Sequence, residues 1–91
     1  MGTGMKGMNV ERGNQVLGQI QVRIGMVEGE ITKMEAVKAA LEANWHGPDS
    51  TAMIARVETN IGEMKHIVTQ LEERKTELQE DVNEQSQTSA K

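Results

Sequence analysis

The chain has 91 residues, 36% of them hydrophobic, with a formal net charge of −4 and a pI near 5.1. Such a length builds one small domain, and the absence of cysteine removes the disulfide staple that small domains often use. The basic residues are scattered along an acidic chain with a single aromatic ring, which excludes phosphate tracking and base stacking, so no nucleic-acid partner is expected.

Residues 1–8, MGTGMKGM, combine glycine and methionine without periodicity and read as a disordered N-terminal arm. No apolar segment follows Lys6, so a cleaved signal peptide is not expected, and Lys6 argues against myristoylation where that motif needs Ser or Thr. No run in the chain approaches the roughly 20 apolar residues of a membrane span.

Helix one is expected over 9–44. Asn9 is a candidate N-cap and Glu11 suits the positive end of the helix dipole. Val10, Leu17, Ile20, Ile24, Val27, Ile31, Met34 and Leu41 then recur on alternating steps of three and four. Gly13 and Lys38 occupy the remaining slots of that series. A heptad sustained this long predicts a helix that packs against another helix.

The break falls at 45–47, Trp45-His46-Gly47, followed by Pro48. Proline cannot sit inside a helix but suits the first turn of a new one, and Asp49 then lies where a carboxylate is favoured. Helix two is expected over 48–83, with core slots at Ile54, Val57, Ile61, Met64, Val68, Leu71, Leu78 and Val82, and Lys75 filling one slot. Residues 84–91 have no apolar side chain larger than alanine and read as a flexible tail.

The expected fold class is therefore all-α: a helix-turn-helix hairpin with arms of about 35 residues, roughly 50 Å each at about 1.5 Å per residue. A short turn makes the arms antiparallel. Pairs at i,i+3, namely Glu30–Lys33, Glu35–Lys38 and Glu72–Lys75, add a few tenths of a kcal/mol each. Val16, Val37, Met53 and Ile67 flank the seam and make it wider than two helices require. That width predicts dimerisation into a four-helix bundle, which also supplies the stability that one short chain lacks.

Other features carry less chemistry. Glu63 and His66 have the Glu-x-x-His spacing of di-metal bundles, but Ile61 and Met64 claim the core face and turn both toward solvent, so no metal and no cofactor are expected. Gly18, Gly25, Gly29 and Gly62 cost helix stability on an exposed face, or let a partner backbone approach at Gly25-x-x-x-Gly29. Lys38 and Lys75 either specify register or snorkel at the edge of the seam. With no cysteine nucleophile, no phosphate loop and no pocket-sized core, neither catalysis nor a small-molecule substrate is expected. Trp45 caps the end of the core or is held out as a partner hot spot.

A hairpin of this size with Trp45-x-Gly47 at its midpoint, heptad helices on both sides and a polar tail, NEQSQTSA, resembles the WXG family of small type VII secretion substrates, the early secretory antigenic target-like proteins of actinobacterial type. The resemblance covers about residues 9–90. It implies association with itself or with a sister WXG chain, folding in the cytoplasm, and export through a membrane ATPase of the type VII secretion machine. It also implies that Trp45 and Gly47 form a secretion-motif turn, read together with a C-terminal signal containing tyrosine. This chain has no tyrosine, so it is either the partner of a signal-bearing sister or a homodimer that uses another cue. The alternative without the resemblance is a cytosolic coiled-coil adaptor.

Overall fold

The structure, a computed structural model, describes residues 8–90, and side chains within 10–87. It is all-helical. Helix α1 spans Met8–Asn44 and α2 spans Pro48–Ala90, and the two pack against each other as a hairpin. The expected arm at 1–8 lies outside the described residues except for Met8, which is already helical. Asn9, expected as a cap, falls inside α1.

The tail needs a correction. Residues 84–90 continue α2 rather than fraying after 83. The run from Glu80 to Ala90 contains neither Gly nor Pro, and Glu and Gln are good helix formers. Val82 is buried and Gln85, three residues on, is half-buried, so the seam runs one slot further than its apolar residues.

Contacts divide the described residues into two units, 8–24 with 70–90, and 25–69. In the first unit Leu17, Ile24 and Val82 are buried, and Val10, Ile20, Leu71 and Leu78 are half-buried. Gly13 is buried too, because a Cβ added to it would collide with Cγ2 of Val82. The slot that looks like an interruption in the sequence is thus filled from the opposite helix. A knob of Val82 takes the place of a side chain on α1, which brings the two backbones close.

In the second unit Ile31, Val57, Ile61 and Val68 are buried, with Val27, Met34, Leu41, Ile54 and Met64 half-buried. The buried side chains follow the three-four spacing in both helices. Alternating steps of three and four keep one stripe of each helix facing the other, and burial of that stripe at roughly 25 cal/mol per Å² of apolar area holds the pair together.

The connection is three residues long in effect, Trp45 to Gly47. The Trp45 amide still donates to the Leu41 carbonyl at 3.0 Å, and the Asn44 side chain donates back to Ala40 O at 3.0 Å, so two carbonyls near the end of α1 accept bonds from its closing residues. Gly47 has φ of 114°, a conformation L side chains rarely adopt, and this is where the chain reverses. Its carbonyl accepts the first bond of α2 from Thr51 N at 3.3 Å, which puts Pro48 at the opening position that tolerates a missing N–H.

Candidate interaction surface

Three features outside the seam were expected to carry function: the turn, the flanks of the seam and the exposed face of helix one. At the turn, Trp45 stands one heptad beyond Lys38, in line with the core slots, yet it is 43% exposed. Gly47 is needed for its backbone angle, and the space where its Cβ would lie is open. Ser50 was not singled out by the sequence. It is 5% exposed, and its Oγ donates to Gly47 O at 2.9 Å, as does the Thr51 hydroxyl at 3.4 Å. The same carbonyl therefore receives one amide and two hydroxyls. Ser50 lies four residues before Ile54 and seven before Val57, so extending the seam backward would have found it.

The two flanks of the seam differ in chemistry. In the second unit, the core slots Val27, Met34, Leu41, Val57 and Met64 are followed by Glu28, Glu35, Glu42, Glu58 and Lys65, and the slots Ile31, Lys38, Ile54, Ile61 and Val68 are preceded by Glu30, Val37, Met53, Asn60 and Ile67. The first group makes the cross-helix ion pairs. Lys65 Nζ lies 3.7 Å from Glu35, and Lys38 reaches from the seam to Glu58 at 3.0 Å. The bond donated to Glu58 and that carboxylate's charge raise the Lys38 pKa above the usual lysine value, with Glu42 and Glu35 acting in the same direction and desolvation opposing. Glu35 thus pairs with Lys65, and Lys38 with Glu58, in place of the local Glu35–Lys38 bridge. Glu30–Lys33 does form, at 3.5 Å, and Arg74–Glu77 is a further local pair at 3.4 Å. An open groove on this side is lined by Glu28, Ile31, Thr32, Glu35, Lys65 and Val68.

The second group makes no cross-helix ion pair, and three of its five members are apolar. Val37, Met53 and Ile67 are 44%, 37% and 43% exposed. They are three of the four residues that widen the stripe in sequence; the fourth, Val16 in the first unit, is half-buried. In that first unit Lys75 also leaves its core slot, donating to Gln21 Oε1, rather than pairing with Glu72. Both core lysines therefore keep their stems in the seam and carry the charge out to a polar partner on the opposite helix.

The exposed face of α1 offers only open space: nothing lies within 4 Å of a Cβ built at Gly18, Gly25 or Gly29, nor at Gly62 on α2. Val22 and Met26 are exposed among them. Glu63 and His66 are exposed, and no three His, Cys, Asp or Glu side chains converge on a possible metal position among the described residues. No helix among those residues is long and apolar enough to cross a membrane.

No protein-family model matches this chain, and neither a curated protein nor a solved structure matches it.

Proposed function

We propose that this chain is a non-enzymatic, secreted interaction protein of type VII secretion, acting as a dimeric cargo or as the chaperone-like partner of a sister WXG chain. One observation carries the reading: the single aromatic ring, Trp45, sits at a hairpin turn with Gly47 two residues on, and nearly half of its surface is open. A tryptophan serving only as a cap would be expected to bury its ring against its own helices, because that burial is its contribution. A ring left open beside a rigid turn is instead available to another protein, and tryptophan is among the residues that dominate such contacts.

On this reading the hairpin is one half of a four-helix bundle, made with itself or with a sister hairpin. It folds in the cytoplasm, leaves the cell through the secretion ATPase, and uses Trp45 and Gly47 as part of the recognition surface. No metal or organic cofactor enters the scheme.

The test is export of the full-length chain beside a Trp45→Ala variant, in a host carrying a type VII system, with intracellular levels followed in parallel. Retention of the variant at normal intracellular abundance is the expected result. Equal export of both proteins removes the turn from the mechanism, and export of neither removes the secretion reading.

A further inference from the structure

We infer that Ser50 is the positioning residue for Trp45: its small, buried side chain is the seat on which the covered part of the ring lies, and it thereby sets how much of the ring another protein can reach. This rests on the reading of Trp45 as a recognition residue and adds the residue that fixes its orientation.

Trp45 and Ser50 occupy equivalent places. Trp45 lies one heptad beyond Lys38, continuing the core slots of α1, and Ser50 one heptad before Val57, continuing those of α2 toward the turn. They are therefore the last slot of each series. Burial at this end runs against size. Ser50 is 5% exposed, while the larger Leu41 and Ile54, one slot inward, are only half-buried. A small side chain at the turn end of a helix pair reaches such burial only beneath a larger group. Residues 44–49 are all exposed, and Trp45 is the largest of them, with more than half of its surface nevertheless covered.

The chemistry at position 50 suits a seat. A large apolar knob would fill the slot and lift the ring, whereas serine leaves room for it. Burial does not orphan the serine hydroxyl, because Oγ donates to Gly47 O at 2.9 Å. The Trp45 amide is held by Leu41 O at 3.0 Å, so the ring's point of attachment is fixed to α1 while its resting surface belongs to α2. Part of the ring is held down on the hairpin and the rest stays open to water, neither buried nor free.

Trp45 is the only aromatic residue, so intrinsic fluorescence reads this ring alone. Emission wavelength and acrylamide quenching are measured on the full chain and on Ser50→Ala, Ser50→Thr and Ser50→Leu, each checked for helix content and cooperative melting. Ser50→Leu should raise the quenching constant by about twofold, as the exposed share of the ring goes from 43% toward all of it, and move emission to longer wavelength. Ser50→Thr keeps the hydroxyl and should give a smaller shift in the same direction; it decides the matter if leucine prevents folding. Ser50→Ala preserves the small volume and should match wild type. So should Ile24→Ala below its melting temperature, a change in the other unit that lowers stability without touching the seat. Unchanged quenching or a shift to shorter wavelength in Ser50→Leu and Ser50→Thr, or a change in Ser50→Ala as large as that from leucine, overturns the inference. Export of the same variants is followed beside fluorescence, with Ser50→Leu retained and Ser50→Ala exported as the expected result. A displaced ring in a variant that leaves the cell as wild type does keeps the seat and removes the ring from the secretion mechanism. An unmoved ring overturns the seat whatever export shows.

Discussion

A methyl group of Val82 occupies the place where Gly13 would carry a Cβ. This makes Gly13 a core position, although it contributes no side chain. Gly13→Ala should therefore destabilise the hairpin by about 1–3 kcal/mol, because valine is stiff at χ1 and cannot swing aside. Gly47→Ala should also destabilise, through its positive φ. The same change at Gly18, Gly25 or Gly62, where the space is open, should add about 0.5–1 kcal/mol through helix propensity. Thermal melts of these variants check the opposite signs. A gain at Gly13 would mean that the helices do not approach there as described.

Lys38 is expected to impose an alkaline limit on stability. Its pKa in the folded chain is raised, first by the hydrogen bond to Glu58 and then by that carboxylate's charge. The charged form is thus bound more tightly in the folded state. Its contribution is complete below the ordinary lysine value and is lost as the pH climbs through the raised one. Melting temperature measured through the alkaline range should fall more steeply for wild type than for Lys38→Met. Parallel curves for the two proteins would show that the ion pair has no effect on stability.

Replacing Trp45 by alanine should cost little stability, under about 1 kcal/mol, as for other partly exposed sites. Ile24→Ala, at a position 3% exposed, should cost about 2–5 kcal/mol. The order of the two effects in chemical denaturation is the measurement. A Trp45→Ala loss as large as that of Ile24→Ala would make the ring a core cap.

Gln85 offers a gain. Its Oε1 is buried and finds no hydrogen-bond donor among the described residues. Gln85→Met keeps the length of the side chain and removes the orphaned acceptor, so the melting temperature should rise by the equivalent of about 1 kcal/mol. A drop in melting temperature would show that the amide is satisfied in solution.

Much of this architecture was legible in the sequence because a heptad is a statement about geometry. Leu17, Ile24, Ile31, Val57, Ile61 and Val82 are buried where three-four spacing places them, and Pro48 opens the second helix. What escaped notice depends on the opposite helix. Gly13 reads as a gap until Val82 is known to fill it. Lys38 has acidic residues nearby in sequence, and only the packing of α2 selects Glu58. The continuation of α2 to Ala90 was missed for a different reason: the tail lacks large apolar residues, yet nothing in it stops a helix that is already formed. The two unlike flanks were present in the letters, but they become visible only when the slots on either side of each seam are read as separate rows.

The short turn has a consequence for the entropy of association. The Trp45 amide is hydrogen-bonded to α1, Pro48 has its φ fixed by its ring, and the Gly47 carbonyl collects three donors from α2. Ordering a loop residue on binding costs about 1–2 kcal/mol in backbone freedom. Here that loss has already occurred during folding, so a protein that recognises the Trp45 ring has only the side chain's own rotations left to arrest.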